Sequence, residues 1–200
     1  MEPLQSTNST EKKILKAAKT IFTDKGYHET SMSAIAEKAD LGKGTLYWHF
    51  DSKAELFQSM ITQEAKAILD ELDQLSESDL GAEEILKEFI RIRLQRMLEH
   101  RKTSQMFMDG ENYINQDFKK TMFKIYKSFI ELLKDTIDQG IAEGVFETEN
   151  PRKAASCFIG MINGICSEII LVKEDADFDL EKNTEFIYNL FINGLKSKEA

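Results

Sequence analysis

Residues 43–53, KGTLYWHFDSK, gather side chains suited to one kind of chemistry. Lys43, Thr45, Tyr47, Trp48 and His49 fall within seven residues, and a second ammonium follows at Lys53. Hydroxyl, imidazole and ammonium groups all donate hydrogen bonds to phosphate oxygens. A lysine such as Lys43 can reach guanine O6 and N7, and an indole such as Trp48 offers apolar contact to a thymine methyl. As a helix, this run is polar on one side (Lys43, Thr45, Trp48, His49) and apolar on the other (Leu46, Phe50). Such a helix can pack its back on a core while its front enters a DNA groove.

The flanking residues predict how that helix is held. Ser31 can cap a preceding helix carrying Ile35, Ala36 and Ala39 on one face. Asp40-Leu41-Gly42 interrupts it, and Lys43 begins the next. Helix, short turn, second short helix is the helix-turn-helix plan. Ser52-Lys53-Ala54-Glu55 has the form of a capping box, in which Ser52 accepts from Glu55 and Glu55 reaches back to Ser52.

The stretch Ile14–Leu56 resembles the DNA-binding domain of the TetR family of transcriptional regulators. The resemblance lies in Gly26-Tyr27, Ile35-Ala36, Gly44-Thr45-Leu46-Tyr47, Phe50, and Lys53 with Leu56. Thr45-Leu46-Tyr47-Trp48-His49 is also similar to the recognition helix of the tetracycline repressor. The ligand of that repressor is not carried over, because the second domain diverges. Two positions depart from the family. Asp40 stands where Gly is usual, and Asp tolerates a left-handed turn moderately well. Gly42 stands where a capping residue such as Ser is frequent, at a cost of about a few tenths of a kcal/mol. The resemblance implies that Thr45, Tyr47, His49 and Lys53 touch phosphates. It also implies that Lys43, Gly44 and Trp48, with Ser33 on the preceding helix, lie nearest the base edges, and Ser31 is grouped with them.

Composition is compatible with this reading. The 200 residues are 42% hydrophobic and 30% charged, which describes a globular protein able to bury a core. Net charge is −9, yet residues 1–57 hold eight Lys/Arg and eight Asp/Glu, leaving 18 and 27 for the rest. The excess acid thus sits outside the DNA-binding stretch, where a local basic face can still dock on phosphates. No stretch reads as a membrane span. MEPLQSTNSTEKK lacks the apolar core of a secretory signal, so a cytoplasmic location is expected.

Catalysis finds no support. His28, His49 and His100 are scattered, and no metalloprotease, nucleophile-elbow, phosphate-loop or dinucleotide motif is present. Glu83-Glu84 reads as a solvated helix face. His49 has no second ligand at metal-binding spacing. Cys157 and Cys166 are nine residues apart, roughly 180° and about 13.5 Å on one helix, so they cannot pair with each other. No cofactor and no metal are expected.

Apolar periodicity predicts an all-α chain of about nine helices. The resemblance implies an N-terminal three-helix helix-turn-helix domain (1–57), then a helical ligand-binding and dimerisation domain (58–200). Residues 1–9 are expected to be disordered, with a first helix at 10–25. A helix from Ser52 carries Leu56, Met60, Ile68 and Leu72, and its length should join the two domains. SESDLG at 76–81 is a linker. Helices follow at 82–101, 103–109, 117–142, 154–172 and 180–196, with a loop at 110–116. The helix at 154–172 is apolar nearly all round, and Ser156, Gly160 and Gly164 line a shallow groove. A helix of that kind is buried on more than one side.

In the family, the last two helices of two subunits form a four-helix interface. This implies a homodimer through Ser156, Gly160, Gly164, Tyr188, Phe191, Ile192 and Leu195. The family also places a small-molecule effector inside the second domain. The candidates here are Arg93, Arg96, Met97, Phe107, Met108, Tyr113, Phe118, Met122, Tyr126, Phe129, Met161 and Asn163. Met- and Phe-rich linings suit hydrophobic or amphipathic effectors. The expected partners are double-stranded operator DNA, that effector and a second copy, with no membrane. The expected function is a repressor released by ligand. The alternative is a helical ligand-binding or protein-interaction module that does not use its helix-turn-helix on DNA.

Overall fold

The computed structural model describes residues 4–101, 104–105, 114–171 and 178–193, with side chains from Ser9 onward. Among the described residues there are eight α-helices and no strand. They are α1 (Leu4–Glu29), α2 (Met32–Lys38), α3 (Lys43–His49), α4 (Lys53–Ser76), α5 (Ala82–Glu99), α6 (Gln116–Ala142), α7 (Pro151–Leu171) and α8 (Leu180–Ile192). The chain divides into two compact units, Met1–Ala65 with Lys102–Thr121, and Lys66–Arg101 with Met122–Ala200. The boundary falls inside α4 and again inside α6.

In the first unit, the apolar faces predicted from spacing meet in one core. Ile14, Ala18 and Phe22 of α1, Ile35 and Ala36 of α2, Leu46 of α3, and Leu56, Phe57 and Met60 of α4 are all buried there. Gly26, at φ 80°, takes a conformation that a side chain would strain, and it kinks the end of α1. Beyond the kink, the Tyr27 ring stacks on Phe22 at 5.7 Å, and Phe57 closes edge-on at 5.3 Å to both. Lys19 pairs with Glu64 at 2.9 Å, tying α1 to the first half of α4.

In the second unit, α5 is the element the others pack on. Ile85, Leu86, Phe89, Ile90 and Leu94 are buried against α7 and α8. Phe89 meets Phe129 at 6.1 Å and Phe158 at 5.9 Å, and Phe158 meets Phe191 at 4.5 Å. Burying one such ring stabilises by about 1.5–3 kcal/mol relative to exposure. Ion pairs Arg91–Glu181 and Lys87–Glu185 rim the α5–α8 contact. Asn150 caps α7 through the Lys153 N–H, and Asp179 caps α8 through the Lys182 N–H. At the end of α6, Gly140 leaves room for the Phe146 ring, and Gly144 turns the chain at φ 76°.

Several boundaries differ from the sequence reading. α1 already includes residues 4–9, so their expected disorder is corrected, and residues 1–3 lie outside the described residues. Of the expected helix at 103–109, Ser104 and Gln105 are helical and the rest lies outside the described residues. Within the expected loop, Ile114 and Asn115 are non-helical and 110–113 lie outside. α8 is described as far as Ile192. α7 is long and apolar enough to cross a membrane by length and composition, although the sequence reading found no such stretch. Here its Phe158, Ile162 and Ile169 are buried in the second unit's core.

Candidate nucleic-acid interface

Three local devices set α3. The Ser31 hydroxyl accepts the Ala34 N–H at 3.1 Å and starts α2. Asp40 takes the left-handed conformation, φ 55°, that the turn requires. Gly42 is the N-cap of α3, with no side-chain cap, and its carbonyl accepts from Thr45 and Leu46. With Leu46 fully buried and Phe50 nearly so, the opposite face of α3 must point outward.

That outward face carries the expected donors. Lys43, Gly44, Thr45 and Tyr47 are exposed, and Trp48 is 72% exposed. An indole so open to water has no role in packing the core. His49 is partly buried and meets the Trp48 ring edge-on at 4.8 Å. Nothing would lie within 4 Å of a Cβ at Gly44, so the backbone there is bare to close approach. Ser33 is partly buried on α2, and Ser31 is exposed at its start. No carboxylate interrupts α3.

Lys53 is placed differently from the expectation. Its Nζ donates to the carbonyls of Tyr27 at 2.7 Å, Thr30 at 2.8 Å and His28 at 3.3 Å. It also sits over the Tyr27 ring, 4.4 Å from the centroid. An ammonium has three protons, and all three are engaged. Burial lowers its pKa from the usual lysine range. Lys53 therefore braces the start of α4 against the α1–α2 connection. The capping box beside it is also shifted. Ser52 accepts the Glu55 N–H as expected, but the Glu55 carboxylate reaches back to the Asp51 N–H, one residue further than predicted.

Among the effector candidates, the second unit brings three together. Arg93 donates to Asn163 Oδ1 at 3.2 Å and lies 5.8 Å from the Phe129 ring centroid. Arg96 is held elsewhere, on the Glu71 carboxylate at 3.0 Å. Met97, Met122 and Met161 are partly buried, and Tyr126 is exposed. Phe118 is buried but belongs to the first unit. Phe107, Met108 and Tyr113 lie outside the described residues. A groove of about 700 Å³ runs beside α7 and α8, lined by Cys157, Met161, Leu190 and Phe191 among others.

The interface candidates split into two sets. Ser156, Gly160 and Gly164 are exposed, and open space surrounds both glycines. Tyr188, Phe191 and Ile192 are each buried within their own unit. The Tyr188 hydroxyl donates to Glu83 at 2.5 Å, under the Lys87 ammonium. The outward apolar side of α8 is instead Phe186 and Leu190, 58% and 57% exposed. Their spacing, one turn apart and out of phase with Ile187 and Phe191, is the signal that distinguishes them. Leu195 lies outside the described residues.

A short helix with a bare, donor-rich face, set by a tight turn on a three-helix core, defines a DNA-binding helix-turn-helix regulator. Comparison with known proteins agrees. Residues 14–60 match the family model of bacterial regulatory proteins of the TetR family, and residues 79–167 match a tetracycline repressor-like C-terminal domain. The HTH-type transcriptional regulator YvkB of Bacillus subtilis is 29% identical, across 94% of this chain and 98% of its own. The structure of a transcriptional regulator from Cytophaga hutchinsonii superposes with a TM-score of 0.76 at 25% identity, over 92% and 97% of the two chains. FadR of Bacillus subtilis, solved with stearoyl-CoA, superposes with a TM-score of 0.74 at 20% identity, over 91% and 97%. The chain belongs to the TetR family of bacterial transcriptional regulators.

Proposed function

We propose that this regulator is a homodimeric repressor whose hold on operator DNA is released by a small amphipathic ligand. Residues 1–57 would bind DNA, and 58–200 would bind the ligand and the second subunit. The observation that carries the dimer is the outward side of α7 and α8. Cys157 and Leu190 line the 700 Å³ groove, and the same two helices expose Phe186 and the two open glycines. Glycines with open Cβ positions permit close helix approach, and exposed large apolar side chains favour a partner. Two recognition helices held about one DNA turn apart then read the two half-sites of one operator. Ligand release is favoured by α4, which passes without a break from one unit into the other. A ligand that binds the off-register state tenfold more tightly supplies about 1.4 kcal/mol of coupling, with the same loss of ligand affinity on DNA. FadR binds an acyl-CoA, which makes an amphiphile the first class to try.

The test is sedimentation of the wild type and of a Phe186→Glu/Leu190→Glu double variant, alongside DNA binding. A folded double variant should be monomeric and lose operator binding. A wild type that is monomeric at micromolar concentration while binding DNA fully would remove the proposal.

A further inference from the structure

Within the second unit, the outward side of α6 carries a basic, aromatic ridge. Phe123 is 57% exposed, more than a ring packed in a core would be, and Tyr126, Lys124 and Lys127 are exposed around it. Phe123, Tyr126 and Lys127 share one helix face by their spacing of three and four residues. The Lys127 ammonium lies 4.8 Å from the Phe123 ring centroid. Neither Lys124 nor Lys127 has a carboxylate within ion-pair distance among the described residues. Further along the same helix, a groove of about 700 Å³ opens between α4 and α6, with Lys127 at its edge. Leu69 and Leu132 line it, each only partly buried, together with Asp70, Asp73, Glu131 and Asp135. Arg152 holds Glu131, and Lys134 holds Asp135. Asp70 and Asp73 have no cation within ion-pair distance among the described residues.

Ridge and groove are opposite in charge, and each offers apolar surface among its charges. An anionic membrane or a nucleic acid would answer the lysines of the ridge, but Asp70 and Asp73 beside them would face the same polyanion. A second copy of the chain answers both features. Its Asp70 and Asp73 can meet Lys124 and Lys127, and Phe123 can enter between its Leu69 and Leu132. Aromatic side chains are enriched at interface centres, and opposite charges fix the register of the contact.

We infer that the α6 ridge of one copy seats in the α4–α6 groove of another, a head-to-tail contact distinct from the α7–α8 surface proposed above. Such a contact leaves a ridge and a groove free at its ends, so it extends from copy to copy and can link regulators on neighbouring operators. The test is sedimentation velocity of the full chain, from micromolar upward, at low and high salt. The wild type should form species larger than α7–α8 pairing alone allows, growing with concentration and shrinking as salt screens the charges. Lys124→Glu/Lys127→Glu and Asp70→Lys/Asp73→Lys should each weaken this growth about tenfold or more, because like charges then face each other. An equimolar mixture of the two should recover it, since each reversed ridge then finds a reversed groove and each native ridge a native groove. Phe123→Ser changes no charge and should weaken the growth as well. A wild type that does not grow beyond its α7–α8 species overturns the inference, and so does a mixture of folded variants that stays as small as its components. If the wild type instead binds phosphatidylglycerol vesicles through Lys124 and Lys127 without growing, the ridge serves a membrane and the inference fails. Operator binding by a single α7–α8 pair is untouched by any of these outcomes, so they are read separately from the repressor proposal.

Discussion

Replacing Lys53 by Met keeps the aliphatic stem over Tyr27 and removes the ammonium. Two short hydrogen bonds, to the carbonyls of Tyr27 and Thr30, are lost, along with a longer one to His28. A hydrogen bond contributes about 1 kcal/mol net, and the ring contact about 0.5–1 kcal/mol. Lys53 is only partly buried, so water restores some of this. The expected loss is about 1–2 kcal/mol, felt where α4 meets the α1–α2 connection. Urea unfolding followed by circular dichroism measures it. The salt dependence of DNA binding separates a brace from a phosphate contact. Removing a phosphate contact lowers the slope of log K against log salt by about 1. A brace leaves the slope unchanged and weakens binding only through stability. A slope lowered by about 1, with unchanged urea midpoint, would refute the brace and restore Lys53 to the DNA backbone.

Two further changes test the second unit. A Cβ at Gly140 would lie 2.1 Å from Phe146 Cδ2, so Gly140→Ala should destabilise by about 1–3 kcal/mol, read from the unfolding midpoint. Tyr188→Phe removes the bond to Glu83 and should cost about 1–2 kcal/mol at neutral pH. Burial and Glu83 raise the Tyr188 pKa, so the folded state holds its proton more tightly. The wild-type advantage over Tyr188→Phe is therefore complete below the ordinary phenol range and decays as the pH rises through it.

Local backbone chemistry was the most legible part of this sequence. The Ser31 cap follows from residue type, the left-handed Asp40 and the Gly42 start of α3 from the family resemblance, and each appears at its expected place. The buried Leu46 and Phe50 followed from periodicity and left Trp48 facing out. Side chains with two competing partners were less legible. Lys53 can serve a phosphate or three nearby carbonyls, and only the fold brings those carbonyls within reach. Glu55 chose Asp51 over Ser52 for the same reason. The faces of α8 were ambiguous because apolar residues occupy both of its sides. Packing against α5 decided that Tyr188, Phe191 and Ile192 turn inward and Phe186 and Leu190 outward.

That α3 reads DNA through its outward face is tested most directly by selection from a random pool of duplexes, followed by sequencing and affinity measurement. The wild type should enrich one inverted repeat, with half-sites about one helical turn apart. Tyr47→Ala should bind the same repeat more weakly, because a phosphate contact carries no sequence information. Lys43→Ala and Trp48→Ala should enrich altered half-sites, each wrong base pair costing about 1–3 kcal/mol. If Lys43→Ala and Trp48→Ala both enriched the wild-type repeat with wild-type affinity, α3 would not be the element that reads the operator.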